Sequence, residues 1–244
     1  MPVYKVDFHV HTVLSPCAEV EMIPPLIVSR ALEVGLDMIG ITDHNSAENV
    51  AAVMEASERS PLKVVPGIEC ESAEGVHLIC LFETVEDALA MQEFVYSALP
   101  NRLNKPDTFG AQFVVDATGE FVRYNDRLLL MSTTLTIEQV SARAEAMNGF
   151  VMPAHVDRSA YGIYSILGFL PTKPCFRAVE ISRHISQDEA RAMYPDLTSK
   201  FVFQCSDAHR LEDLGYAFTF LELDHRTVAD VKHAVRRAVE ACGQ

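Results

Sequence analysis

The chain has 244 residues, and 49% of them are hydrophobic, which is enough apolar material for a full core in either one large α/β domain or two smaller ones. Its formal net charge of -14 argues against nucleic acid and anionic membranes as partners. No run of about 18 apolar residues predicts a transmembrane helix, and the N-terminus lacks the pattern of a signal peptide. The six cysteines form no CxxC pair, so we expect reduced thiols and a cytoplasmic location.

Strand-like and helix-like segments alternate along the first hundred residues. A helix over 24–35 is indicated by prolines at its start and Gly35 at its end. A second helix is predicted over 46–59, with Ser46 as its N-cap. The other elements predicted here are strands at 5–12, 37–44, 62–72 and 75–83 and a helix at 85–99.

Residues 101–130 are polar and irregular, and we interpret them as an insertion into a single catalytic domain that spans residues 1–244. A hairpin over 112–124 is expected to turn at Thr118 and Gly119. The next helix, 136–148, begins with a capping-box pattern from Thr136 to Gln139. The remaining predicted elements are strands at 150–156, 177–182, 201–209 and 217–223 and helices at 187–195 and 227–241.

The alternation of strands and helices predicts parallel pairing, in either a barrel or a doubly wound sheet. The sequence contains neither GxGxxG nor GxxxxGK[ST], which weakens the interpretation as a nucleotide-binding fold.

The predicted strands carry or end on residue types that bind metal ions. Because the carboxyl ends of the strands in a (β/α) barrel converge on one face, side chains far apart in sequence would share a pocket there. Residues two apart on a strand point to the same side, so His9 with His11, and Asp207 with His209, can each hold one ion together. The residues in question are His9, His11, Asp43, His44, Glu69, His77, His155, Glu180, Asp207 and His209.

Neutral imidazoles and carboxylates suit Zn²⁺, Fe²⁺ or Mn²⁺ in an open site, rather than Ca²⁺ or a closed all-cysteine zinc site. The candidates are too many for one ion, so we expect two or three divalent ions bridged by a carboxylate. Clustered ions about 3.5–4 Å apart activate water and hold the entering and leaving oxygens, a pattern used for phosphate ester hydrolysis.

Six short segments of the chain, spread over residues 7–209, resemble the PHP (polymerase and histidinol phosphatase) family of metal-dependent phosphoesterases. In order, they are "HVHT", "ITDHN", "GIE", "VHLI", "PAHVDR" and "SDAH". The resemblance implies a distorted, TIM-like (β/α)7 barrel with up to three metal ions at the carboxyl face of its strands.

The resemblance also implies a ligand set for each ion. The sets are His9, His11, Glu69 and Asp207 for the first ion, Glu69, His77 and His155 for the second, and His44 and His209 for the third. Family members often add a third-site ligand a few residues after the HxH, where this chain has neither His nor Asp. Cys17 and Glu19 are the candidates to replace it, and the alternative is a weak or empty third site.

Substrate binding and proton transfer have their own candidates. Arg158 and Arg183 follow two of the strands, and a guanidinium matches phosphate bidentately, although a solvated surface role is the alternative for each. Asp43, Glu180 and His209 are the candidates for proton transfer, and the sequence does not rank them. Asp43 equally fits the orientation of a ligand histidine, and Glu180 equally fits a structural ion pair.

The leading hypothesis is hydrolysis of a small phosphorylated metabolite, such as a histidinol-phosphate-like or nucleotide phosphomonoester, by metal-activated water. One alternative is a nuclease or proofreading-type phosphodiesterase on DNA, against which the net charge argues. Another is a metal-binding domain without catalysis. An amidohydrolase barrel fits poorly, because no lysine ends a predicted strand. We expect residues 101–130 and the loop 159–174 to form the rim of the pocket.

Overall fold

Strands and helices alternate along the computed structural model, which describes residues 1–242. The strands are β1 (Val3–Val10), β2 (Met38–Ile41), β3 (Lys63–Glu71), β4 (His77–Leu81), β5 (Phe113–Val115), β6 (Phe121–Tyr124), β7 (Phe150–Pro153), β8 (Ala178–Ile181), β9 (Phe201–Gln204) and β10 (Thr219–Glu222). The α-helices are α1 (Pro24–Glu33), α2 (Val50–Ser57), α3 (Val85–Ala98), α4 (Pro106–Phe109), α5 (Ile137–Ala146), α6 (Ile163–Leu167), α7 (Gln187–Met193) and α8 (Val228–Cys242). None of the helices described is both long and apolar enough to cross a membrane.

Six of these strands form one curled sheet in the order β10-β1-β2-β3-β4-β7. Strands β1, β2 and β3 are parallel, whereas β10 and β4 run antiparallel to their neighbours. Strands β8 and β9 form a separate parallel pair. Backbone hydrogen bonds from Val156 N to Glu180 O (2.8 Å) and from Ala208 N to His9 O (3.2 Å) join the two sets of strands. The six-stranded sheet is half of a barrel, and the predicted distorted, TIM-like (β/α)7 barrel is not confirmed.

A tight turn explains why the predicted parallel pairing fails between β3 and β4. Ser72 and Val76 bracket this turn, and Gly75 within it has a positive φ of 84°. A parallel crossover needs a dozen residues or more, so this short connection folds β4 back antiparallel on β3. His77 consequently begins its strand rather than ending one, yet its register opposite Glu71 places it at the carboxyl edge of β3.

Two apolar clusters bury the two faces of the sheet. The inner cluster surrounds Phe8 and Phe203, whose ring centroids are 5.9 Å apart, and includes apolar residues of α8. The outer cluster packs α1, α2, α3 and α5 against the sheet. Because both faces are covered, the strands form a rigid frame for the polar side chains at their ends.

The helix starts show how far local patterns predict local structure. Helix α2 begins after Asn49, so the predicted N-cap at Ser46 is wrong. The Ser46 hydroxyl donates instead to Gln92 Oε1 at 3.1 Å, a partner far away in the sequence. The capping box predicted from Thr136 to Gln139 is confirmed at the start of α5.

Replacing Thr136 with alanine is expected to lower the free energy of unfolding by about 0.5–2 kcal/mol, because it removes the N-cap acceptor. In the native chain, Thr136 Oγ1 accepts from Gln139 N at 3.2 Å, and Gln139 Oε1 accepts from Thr136 N at 2.9 Å. Urea unfolding measures the change. Thr136→Ser keeps the acceptor and is the control, so an equal loss in both variants would contradict the capping role.

Residues 101–130 contain α4 and the antiparallel pair of β5 and β6. The predicted turn at Thr118 and Gly119 is confirmed, and Gly119 has the positive φ of 87° that such a turn favours. Phe113 N donates to Val13 O at 3.2 Å, so the segment packs against the loop that follows β1. That this segment is an insertion stays a prediction.

Candidate metal centre

The structure brings all eight predicted metal ligands together at the carboxyl edge of the sheet. Strands β1, β3 and β4 supply three of them directly, and the loops that follow β1, β2, β7 and β9 supply the others. All are buried except His209, whose side chain is 24% exposed. The eight residues are His9, His11, His44, Glu69, His77, His155, Asp207 and His209.

Glu69 lies at the centre of this cluster. Its two carboxylate oxygens lie within 3.5 Å of nitrogens from five histidines. The contacts to Oε1 are His77 Nδ1 at 2.8 Å, His9 Nε2 at 3.3 Å and His155 Nε2 at 3.4 Å, and those to Oε2 are His44 Nδ1 at 2.7 Å and His11 Nε2 at 3.5 Å. The side chain is 1% exposed, yet neither oxygen has a partner with hydrogen-bond geometry.

Several buried polar atoms of this cluster lack hydrogen-bond partners: both oxygens of Glu69, His77 Nδ1 and His155 Nδ1. Buried polar atoms left without partners cost free energy, and divalent cations would satisfy those of Glu69 and His77. Three overlapping groups have ligand atoms within 4.8 Å of one another: His9, His11 and Glu69; His44, Glu69 and His77; and His11, His44 and His209. Because Glu69 belongs to two groups, the residues fit a carboxylate-bridged centre with more than one ion.

Asp207 forms a second shared contact point. Its Oδ1 lies 3.2 Å from His9 Nε2, 3.1 Å from His11 Nε2 and 3.5 Å from His209 Nδ1. Its other oxygen pairs with the guanidinium of Arg158. Asp207 has a positive φ of 49°, a conformation that L-residues rarely adopt and that is often found at functional sites.

The two carboxylates of the cluster are stabilised in their ionised form. Burial opposes ionisation of Glu69, but the charges of His77, His9 and His44 hold its pKa well below the usual range. Burial likewise opposes ionisation of Asp207, and His9 in particular holds the pKa of that carboxyl well below its usual range. Both carboxylates are therefore ionised at neutral pH and available as ligands.

Two histidines are oriented through their other ring nitrogen. His9 Nδ1 lies 2.9 Å from Glu180 Oε2, and His11 Nδ1 lies 2.9 Å from Ser15 Oγ. The Ser15 hydroxyl donates in turn to Asp43 Oδ1 at 2.6 Å. With the proton on Nδ1, each histidine donates to its partner and turns the Nε2 lone pair toward the cluster, as metal-ligating histidines do.

The structure places Asp43 and Glu180 outside the space that a substrate can reach. Both are fully buried. The oxygens of Asp43 accept from Thr12 N, Thr12 Oγ1 and Ser15 Oγ at 2.6–2.7 Å. The predicted proton-transfer roles of Asp43 and Glu180 stay predictions, and the contacts of the two residues fit the alternative role of orienting His11 and His9.

Glu180→Gln is expected to weaken metal binding by about 10–100-fold, because it removes the charge that raises the basicity of His9. The amide oxygen still accepts from His9 Nδ1, so the fold should persist. Competition with a chromophoric chelator measures the affinity. Glu138→Gln, an exposed carboxylate on α5, is the control. Equal affinities for Glu180→Gln and the native chain would contradict the positioning role.

A cavity of about 250 Å³ opens onto the cluster. Arg158 lines it, whereas Arg183 does not and pairs with Asp213 instead. Of the two predicted phosphate-binding arginines, the structure therefore brings only Arg158 to the cavity. The described residues that line it are Cys17, His44, Glu69, Glu71, His77, Leu130, His155, Arg158, Tyr161, Asp207 and His209.

The two candidates for the extra ligand lie in different places. Glu19 is half exposed, its carboxylate lies 3.7 Å from Arg210 Nε, and it does not line the cavity. Cys17 does line the cavity, together with His209 and His44. Burial of the thiol opposes ionisation although the residue as a whole is exposed, and the neighbouring His209 and His44 lower the pKa of Cys17 to about 6.

Sequence reasoning missed two residues of the site. Glu71 lines the cavity, and its Oε2 lies 3.6 Å from His77 Nε2. Its spacing of two residues from Glu69 on one strand is a signal that could have found it. Ser15 hydrogen-bonds with His11, and the sequence holds no comparable signal for it. Both segments expected at the rim of the pocket contribute a residue to its lining: Leu130 from 101–130, and Tyr161 from 159–174, whose ring stacks on His77 with centroids 4.2 Å apart.

A curled α/β half-barrel with a carboxylate-centred histidine cluster at the strand ends is suited to holding divalent metal ions. Residues 7–167 match the PHP domain family, and the chain belongs to this family. The predicted resemblance to this family is thus confirmed. No curated protein sequence matches the chain.

Solved structures with the same fold include endonuclease Q of Pyrococcus furiosus, a lesion-specific endonuclease, with 20% identity and a TM-score of 0.74. The match covers 97% of this chain and 56% of that one. A complex of endonuclease Q with a 27-mer duplex that has an abasic lesion at the active site shows 18% identity, a TM-score of 0.72 and coverages of 97% and 57%. A two-domain protein from Bacteroides vulgatus that contains a predicted PHP-like metal-dependent phosphoesterase shows 17% identity, a TM-score of 0.54 and coverages of 96% and 62%.

The chain therefore spans a little over half the length of endonuclease Q. At these identities the likeness shows the fold alone. Since one of these structures contains a DNA duplex, the argument from net charge against nucleic acid as a partner is not supported.

Proposed function

We propose that the chain hydrolyses phosphomonoesters of small organic compounds at a centre of two or three divalent ions, Zn²⁺, Fe²⁺ or Mn²⁺. One observation carries this proposal: Glu69 is buried among five histidines, and neither of its oxygens has a hydrogen-bond partner. When bound, the ions supply Lewis-acid stabilisation of the phosphate oxygens and activation of water.

The proposed ligand sets follow from the contacts around Glu69 and Asp207. They are His9, His11, Glu69 and Asp207 for one ion, Glu69, His77 and His155 for a second, and His44, His209 and Cys17 for a third. Zn²⁺ and Fe²⁺ accept thiolate more readily than Mn²⁺, so Cys17 favours these two at the third position.

The remaining roles belong to residues that line the cavity. Arg158 would bind the phosphate oxygens through its guanidinium while Asp207 holds it in place. Hydrolysis breaks the bond between phosphorus and the leaving oxygen, which gains one proton while the attacking water loses one. In a centre of two ions, with the third position empty, His209 is the proposed proton donor to the leaving oxygen, since burial opposes its protonation but Cys17 and Asp207 raise its pKa. Its Nδ1 lies 2.9 Å from Asp207 O, which leaves Nε2 to carry that proton or to bind the third ion.

The size of the cavity favours a small substrate. A volume of about 250 Å³ accommodates a phosphate with a few attached atoms, and it lies below the roughly 300–1,000 Å³ usual for ligand pockets.

A panel of phosphomonoesters tests the proposal, with histidinol phosphate, nucleoside monophosphates and sugar phosphates offered to protein loaded with Zn²⁺, Fe²⁺ or Mn²⁺. We expect release of phosphate that stops on chelation and returns when metal is restored. Protein that holds two or more ions and hydrolyses none of these esters would overturn the proposal.

Cleavage of DNA is the second candidate function. The likeness to endonuclease Q over 97% of the chain supports it. A duplex with an abasic lesion, incubated with the metal-loaded protein at several salt concentrations, tests it. Cleavage that weakens steeply with salt, together with inactivity on all monoesters, would replace the leading proposal.

A further inference from the structure

A second depression, which we call the aromatic groove, lies beside the metal cavity. It has a volume of about 520 Å³ and lies between the loop that follows β7 and the end of α7. Its walls include Tyr164, Phe169, Met193 and Tyr194. Arg158 lines both the groove and the metal cavity, so the two spaces meet at this residue.

The walls of the aromatic groove present flat, apolar surface to solvent. Phe169 and Met193 are each 60% exposed, which is unfavourable for side chains of this size. The rings of Tyr164 and Tyr194 stack in parallel, with centroids 3.8 Å apart and planes 3° apart, and form a rigid wall. Exposed apolar groups gathered in a concavity next to a reactive centre are typical of a binding site for an organic group.

Charges of both signs line the groove. Arg158 is the one cation among the described residues that line it, whereas Asp157 and Asp196 are carboxylates. Both oxygens of Asp157 already accept hydrogen bonds, from Ser182 N and Ser182 Oγ at 2.6 Å. Asp196 is exposed and accepts from Tyr164 Oη at 2.7 Å. Carboxylates repel phosphate, so a phosphate would lie beside Arg158 and a group with N–H donors beside Asp196.

We propose that the aromatic groove binds a flat heteroaromatic ring with an amino group, of the nucleobase type, as the organic part of the phosphoester. The inference rests on the proposed function in so far as the phosphate occupies the metal cavity. The apolar walls supply stacking surface for the ring, and Asp196 accepts from the amino group. The substrate class is then the nucleoside monophosphates rather than aliphatic phosphates.

Binding of adenosine, which has no phosphate to hydrolyse, tests the groove independently of catalysis. Isothermal titration of the metal-loaded protein should show saturable binding that weakens about tenfold or more in Phe169→Ala and in Met193→Ala. Phe220→Ala is the matched control, because Phe220 is 62% exposed on β10 and does not line the groove. Absence of saturable adenosine binding at millimolar concentration, or equal weakening by Phe220→Ala, would overturn the inference.

Steady-state kinetics with two substrates provide a second test of ring binding in the groove. Phe169→Ala should raise KM for adenosine 5′-monophosphate about tenfold and leave kcat and the kinetics of glycerol 3-phosphate unchanged. Equal changes for both substrates would overturn the inference while the proposed hydrolysis stands. Adenosine binding without hydrolysis of any monoester would overturn the proposed function and leave the groove as a ring-binding site.

Discussion

Glu69→Gln is expected to lower kcat/KM for phosphoester hydrolysis by about 1,000-fold or more, since metal-ion catalysis contributes several kcal/mol to transition-state stabilisation. Glu69 is the only carboxylate whose two oxygens both face the histidine cluster among the residues described. The neutral amide of glutamine has nearly the same volume but cannot bridge two cations. We therefore expect the bound metal to fall by at least one ion per chain, as measured by elemental analysis.

Glu138→Gln is the control for this experiment, because it removes an equal charge at an exposed position of α5. It should leave both metal content and activity unchanged. Circular dichroism establishes that the Glu69→Gln variant is folded. Full metal content together with native kcat/KM in that variant would exclude Glu69 as the shared ligand.

Asp207→Asn is expected to reduce kcat/KM by about 100–1,000-fold, since one ligand charge is lost and the guanidinium of Arg158 loses its ionic partner. Asparagine preserves the shape of the side chain and tolerates the positive φ at this position. The substitution should raise KM as well as lower kcat, because Arg158 is the proposed phosphate-binding group. Steady-state kinetics at saturating metal separates the two effects.

The chain offers a matched pair for this test. Asp213 binds Arg183 in the same way that Asp207 binds Arg158, but neither Asp213 nor Arg183 lines the metal cavity. Asp213→Asn should therefore leave kcat and KM at their native values. If both substitutions reduced activity equally, loss of an aspartate–arginine pair rather than loss of a ligand would be the cause.

Local rules account for the elements that the sequence predicts well. The capping box at Thr136 and the turn at Gly119 depend on residues within a few positions of each other, so the sequence alone predicts them. Ser46 shows the limit of such rules. Its hydroxyl donates a hydrogen bond to Gln92, 46 residues away in the sequence, and no local pattern predicts that partner.

The same limit applies to the sheet. The strands themselves are recognisable from apolar runs, but pairing depends on how the chain turns between them. The short turn before His77 makes β4 antiparallel to β3. In β1, the register shift between Asp7 and Val10 places Phe8 in the inner apolar cluster and Val10 in the outer one. Irregularities of this kind redirect side chains next to a site, and the strict alternation assumed from sequence misses them.

By itself the sequence determined the chemical identity of the candidate ligands and their order along the strands, because residue type and spacing are local properties. Only the tertiary structure decided which polar residues reach the cavity. Arg158 and Cys17 line the cavity, whereas Arg183 and Glu19 do not. Asp43 and Glu180 are buried and accept hydrogen bonds from other buried groups. These outcomes depend on contacts between distant segments and on backbone conformations such as the positive φ of His155 and Asp207, which packing imposes and which no sequence pattern encodes.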